Sequence, residues 1–245
     1  MNVAGAQRRR KLPHWGWLAS GALAIYLLIA YLAMPRLNQW KVHLHPNLAA
    51  GEHLTQTGSG IPGDPLNIAL VGSEEEVIRA FHAAGWDPAN PLTFASSVRI
   101  AVDTVFKKPD PNAPVSSLYL YGRKEDLAFE KPVGHSPRER HHVRFWRSDQ
   151  SDDGQPLWMG AATHDIGVEL SRTTAQVTHR IAPDVDAERE LLLAELAQAN
   201  PRLTIRWIVD FHKIRQGRNG GGDTWHTDGR LPVATLAPVK NPPNP

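Results

Sequence analysis

The sequence predicts an α+β fold: a mostly antiparallel sheet with two or three helices on one face, preceded by one transmembrane helix. Three observations predict it. Residues 15–34, WGWLASGALAIYLLIAYLAM, carry no charge. Short segments rich in β-branched and aromatic residues are joined by brief Gly, Pro and Asp turns. Two stretches, opening at Ser73 and at Pro183-Asp184, combine helix-start signals with an apolar stripe. Strands joined by short turns pair antiparallel, and helices set among them pack on one face.

At about 1.5 Å per residue, a helix over 15–34 reaches roughly 30 Å, the hydrocarbon thickness of a bilayer. Residues 1–14 form a basic stub too short to fold. Its Arg8, Arg9, Arg10 and Lys11 outnumber Arg36 and Lys41 beyond the helix, which holds that end in the cytoplasm and puts the rest outside. Trp15, Trp17 and Tyr31 suit the aromatic belts of a spanning helix. A cleavable secretory signal also begins with basic residues. Its apolar core is only about 7–15 residues long, however, and no Ala-x-Ala site closes this run before Pro35. Either way, the domain is exported.

Residues 35–62 read as a stalk, punctuated by Pro46, Gly51, Gly58, Gly60 and Pro62, with one possible strand at 40–44. The domain proper, 63–236, opens with the strand-like run Leu66, Ile68, Leu70 and Val71. Ser73 and Glu76 then form a capping box, Val77, Ile78, Phe81 and Ala84 share a helical face, and Gly85 ends the helix. Residues 93–107 mix helical spacing with β-branched residues, and helix is the reading taken. Strands follow at 117–121, 127–131 and 141–147, the last (HHVRFWR) alternating as a half-buried strand does until Trp146. Residues 157–163 and 168–170 read as two strands around a turn at 165–167, and 177–181 as a third. The clearest helix follows Pro183. Asp184 or Asp186 caps it, Asp186 and Glu188 favour its positive dipole end, and Val185, Arg189, Leu192, Leu196 and Ala199 form a stripe that Asn200-Pro201 ends. Strands at 203–211 and 231–236 flank the turn-rich GRNGGGDTWHTDG, and 237–245 is a Pro-rich tail.

The net charge of +2 is carried largely by residues 8–11, so a pI near 9.0 gives no reason to expect nucleic acid as a partner. The absence of cysteine excludes disulfides, thiolate zinc ligands and thiol catalysis.

Chemistry-bearing side chains concentrate at His141, His142, Arg144, His164, Asp165 and His179, with Asp184 and Asp186 close in sequence. If their strands are neighbours, His142, His164 and His179 are the candidate ligands of a Zn²⁺ ion, at distances near 2 Å. Alternatively Arg144 and the imidazoles hold a phosphate or other anion, with His142 or His164 as general acid or base. The plainer alternative is a set of polar strand-face residues satisfied by local hydrogen bonds. His141 and His142 are adjacent, so on a strand they point to opposite faces and only one serves a given site. HExxH and GxSxG motifs are missing. Residues 217–223 lack GxxxxGK[ST] and lead into no helix, so they read as a hairpin connection.

Several stretches together, PVSSLYLYGR at 114–123, DLAFE at 126–130, RHHVRFW at 140–146, and HRI at 179–181 before PDVDAER at 183–189, resemble the LssY C-terminal domain family. The resemblance covers about Pro62 to Leu236, with NGGGD at 219–223 and TDGR at 227–230 similar to its closing motifs. In that family the domain stands alone behind a membrane anchor or is fused to DedA-type or type-2 phosphatidic-acid-phosphatase membrane domains. The resemblance implies a bacterial envelope protein near lipid or polyprenyl phosphates, and supplies no mechanism. Nothing in this chain looks like the phosphatase membrane domain.

Two functions follow as expectations. In the first, the domain is a binding or accessory module for envelope lipids, glycans or membrane-protein partners, with its polar strand face as the contact surface. In the second, it hydrolyses lipid-linked phosphates or other esters, with Arg144 stabilising developing charge and His142, His164 and Asp165 around it. Convergence of the histidines and Arg144 on one pocket supports the enzyme, and dispersal over two faces supports the module.

Overall fold

The computed structural model describes residues 14–34, 36–37, 53–89, 117–134 and 139–236. The expectations for the basic stub, for most of the stalk including 40–44, for the helix at 93–107 and for the tail lie outside them. An uncharged apolar run satisfies its own backbone as a helix, and α1 (His14–Leu28) continues into a π-helical turn over Ile29–Ala33. Residues Trp15–Ala33 are long and apolar enough to cross a membrane. In the π turn the amide of Met34 bonds back to the carbonyl of Ile29. The Gln176 side chain donates from Nε2 to the Ala30 carbonyl at 3.1 Å. Beside it the Tyr26 hydroxyl donates to the Ala175 carbonyl at 2.9 Å.

The domain is α+β and mostly antiparallel, as expected. It has three layers: two helices, a large sheet and a small sheet. The large sheet runs β11-β14-β3-β9-β8-β7-β4, with β10 paired to β9. Its strands are β3 (Ile68–Val71), β4 (Asp87–Pro88), β7 (Leu127–Pro132), β8 (Arg140–Asp152), β9 (Gln155–Leu170), β10 (Val177–Ile181), β11 (Thr204–Ile208) and β14 (Leu231–Thr235). Among the named strands of the described residues, β14 and β3 alone pair in parallel. The small sheet, β2-β1-β5-β6, comprises β1 (Leu54–Thr57), β2 (Pro62–Pro65), β5 (Leu118–Leu120) and β6 (Arg123–Lys124). Residues 54–57, within the segment read as stalk, are therefore part of a sheet. The glycine-rich 217–223 stretch closes a hairpin of β12 (Gln216–Arg218) and β13 (Thr224–His226). There the Asn219 side chain accepts from the amides of Gly221 and Asp223, so those donors are already used.

Helix α2 (Glu74–Ala83) has the predicted capping box: Ser73 Oγ accepts from the Glu76 amide while Glu76 Oε2 accepts from the Ser73 amide. Helix α3 (Val185–Ala199) is capped by Asp184, whose Oδ1 accepts from the amides of Asp186 and Ala187 at 3.1 Å. Both helices bury their stripes on one face of the large sheet. There Val77, Phe81, Leu192 and Leu196 meet Ile68, Leu70, Phe145, Trp158 and Phe129. The opposite face, with Ala69, Val71, Trp146, Met159 and Val233, packs against Leu118 and Leu120 of the small sheet. Trp146, read as breaking the alternation, thus keeps it and fills the second core.

The turn expected at 165–167 does not form, and β9 runs through it. Its far end pairs with β10 on one side, His179 opposite Val168 and Arg180 opposite Gly167, and the pairing absorbs an irregularity between Arg180 and Ile181. Ladder bonds to a neighbour outweigh the local turn preference of Asp and Gly. In mid-strand, Gly160 lies opposite both Ile68 and Phe145. A Cβ there would collide with the Phe145 ring and come within 2.8 Å of Ile68 Cγ2. Gly160→Ala is therefore expected to destabilise the domain by about 1–3 kcal/mol through overpacking, measurable by thermal denaturation of the full-length protein in detergent.

Candidate functional site

Strands β8 and β9 carry most of the candidate residues, and their register sorts them. Arg140 stands opposite Asp165, His141 opposite His164, and His142 opposite Thr163. Because successive strand residues alternate, His141 and His164 face the helices, while Arg140, His142, Arg144 and Asp165 face the small sheet.

On the helix side, the His141 and His164 ring centroids are 4.8 Å apart. Helix α3 lowers Glu188 onto them, with His141 Nδ1 and Glu188 Oε2 at 2.8 Å. That hydrogen bond raises the His141 pKa, and partial burial of the ring opposes it. Glu188 lies in the first turn of α3, at its positive dipole end as expected, and at only 3 % exposure it also faces the core. Its position was legible: it lies three residues after Val185 and four before Leu192, on the buried stripe.

On the other side a buried ionic network forms. Arg140 donates to Glu130 at 2.8 Å and to Asp165 at 3.2 Å, and its Nη2 lies 2.8 Å from His179 Nε2. Arg144 pairs with Asp64 of β2 at 3.5 Å, and Asn219 donates to the same carboxylate at 3.1 Å. Burial pushes the Asp64 and Glu130 carboxyls up, while Arg144 and Arg140 respectively pull them back. His142 is fully buried between the two guanidiniums, and neither of its ring nitrogens has a hydrogen-bond partner. Burial, then Arg144, Arg140 and His179, hold its pKa well below the ordinary imidazole value. It is neutral. His179 is lowered for the same first reason, burial.

The structure thus brings together His142, Arg144, Asp165 and His179, and separately His141 and His164. The proposed zinc trio His142, His164 and His179 does not converge, since the sheet lies between His164 and the other two. Nor do His142, His164 and Arg144 share one acid–base site, because alternation on paired strands sends them to two faces. Asp184 belongs to neither cluster, its carboxylate being engaged in capping α3. Sequence reasoning missed Asp64, Glu130 and Glu188: the first two are delivered by long-range pairings that no local pattern reveals, whereas the inward facing of Glu188 follows from the helical stripe.

The fold and these two clusters define a three-layer α+β domain carried by a helix long and apolar enough to cross a membrane. Residues 47–231 match the family described as LssY C-terminus, and the chain belongs to that family. The match begins before Pro62, takes in β1 and closes at the first residue of β14. No curated protein and no solved structure matches the chain.

Proposed function

We propose that this protein is a binding module of the bacterial envelope. Helix α1 anchors it in the inner membrane with the N-terminus in the cytoplasm, and strand β11 receives an extended acidic segment of a protein partner. The observation that carries the reading is the edge of the large sheet. Among the described residues β11 pairs only with β14, yet it leaves Ile205, Trp207 and Ile208 exposed, followed by Val209 and Ile214 at 68 % and 61 %. An apolar edge with open backbone donors and acceptors is a template for another strand. A bilayer surface would cover the side chains and leave that backbone unsatisfied. Between 202 and 218 the chain has five basic residues, Arg202, Arg206, Lys213, Arg215 and Arg218, against one acid, Asp210, which favours an acidic partner.

The contact surface therefore moves from the polar strand face, which is buried on both sides, to the edge. The hydrolase alternative has less support. Arg140 and Arg144 face carboxylates, which compete with a phosphate for them, and His164 is across the sheet from Arg144.

The test places a photo-crosslinking amino acid at position 206 in living cells. A discrete protein adduct is expected, and Ile205→Glu with Ile208→Glu should reduce it about tenfold or more. Adducts to lipid or to a second copy of the chain, or no adduct, would refute the proposed partner. A reporter enzyme joined after Leu236 should be active only outside the cytosol, and cytosolic activity would refute the orientation.

A further inference from the structure

We infer that His141, His164 and Glu188 form a binding site for a divalent metal ion of the Zn²⁺ type, between α3 and the large sheet. One ligand atom from each residue lies within 4.8 Å of the other two. In a tetrahedral zinc site, donors near 2 Å from the metal lie roughly 3.4 Å from one another. Closing the cluster on an ion thus takes about an ångström of side-chain movement, within the reach of a rotamer adjustment in Glu188 or His141.

The hydrogen bond between His141 and Glu188 leaves the cluster half satisfied. Glu188 Oε1 and His164 Nε2 are both buried with no hydrogen-bond partner. Buried polar atoms are normally paired, because burial strips their water and returns nothing. These two belong to the same three-residue cluster, and a cation coordinated there satisfies both at once. Two imidazoles and a carboxylate are also the donor set that selects zinc and its neighbours over Mg²⁺ or Ca²⁺.

The surroundings are compatible with a cation. Lys131, a positive charge that acts on His141, is bound by Glu195 at 2.7 Å, and Trp86 Nε1 holds the other Glu195 oxygen at 2.7 Å. The His141 side chain is 18 % exposed, which gives the ion a solvent-side route. The site differs from the trio His142, His164 and His179 suggested by the sequence, because strand alternation exchanges His142 for His141 and α3 adds Glu188.

The test uses the full chain, purified in detergent without an oligohistidine tag, stripped with chelator and titrated with Zn²⁺. Uptake of one ion per chain is expected, with a thermal midpoint raised by about 5 °C or more at saturating metal. Co²⁺ should give the visible absorption of a tetrahedral N/O site. Glu188→Gln keeps the side-chain volume and the contact to His141 while removing the charge. It and His164→Gln should each lower uptake at least tenfold. No uptake and no thermal shift in the wild-type chain would leave a simple His141–Glu188 ion pair and overturn the inference. Uptake unchanged in both variants would place the ion elsewhere and overturn it equally.

Discussion

Arg140→Met is expected to destabilise the domain by about 3–5 kcal/mol, the cost of removing one partner from a buried ionic network. Arg140 is 5 % exposed and touches Glu130, Asp165 and His179. Its removal leaves two carboxylates between the sheets, and burial has already raised the Glu130 pKa. For a domain of this size the loss corresponds to a fall in thermal midpoint of roughly 10 °C, read from tryptophan fluorescence in detergent. The companion variant replaces the network rather than breaking it. With Arg140→Met, Glu130→Met and Asp165→Leu combined, most of the loss should return, since a packed apolar core needs no desolvated charge. A single variant that melts with the wild type would mean that the network contributes no stability.

This network also marks where local reading of the chain stops. The capping box at Ser73 and the cap at Asp184 are local hydrogen-bond patterns, and they are legible because their partners lie two or three residues away. The opposite facing of His141 and His142 is legible for a similar reason, since it follows from the period of a strand. Whether Asp64 meets Arg144 depends on β2 of the small sheet lying over β8, a contact across 80 residues that no spacing rule contains. The continuity of β9 through Asp165 and Gly167 is hidden in the same way. The local signal is a turn, and the strand exists because β10 arrives later in the chain to pair with it. Strand β11 shows the converse. Its apolar composition suggests a buried strand, yet it is the edge, with the Arg189 and Arg230 guanidiniums 5.1 Å and 4.6 Å from the Trp207 ring centroid.

The second large effect is a loss of stability in acid that originates at His142. Its folded pKa lies below the unfolded value of 6.5, so as the pH falls the unfolded chain takes up the proton first. Below pH 6.5 and above the folded pKa, the unfolded state binds one more proton, and stability falls by about 1.4 kcal/mol per pH unit. His179 and His212 act in the same direction, both lowered first by burial. His141 acts in the opposite direction. Its raised folded pKa contributes stability that is full in acid and lost as the pH rises through it. Asp64 and Glu130, raised by burial, also favour the folded state at low pH and lose that contribution as the pH rises. The His142 contribution is isolated by comparing wild type with His142→Gln at pH 7.0, 6.0 and 5.5. The variant's stability should fall less steeply below pH 6.5, by about 1.4 kcal/mol per unit. Equal slopes would mean that His142 takes up a proton within the folded domain despite the adjacent Arg140 and Arg144. In that event the imidazole could donate a proton at this site, and the hydrolase reading would regain the acid it lacks when His142 stays neutral.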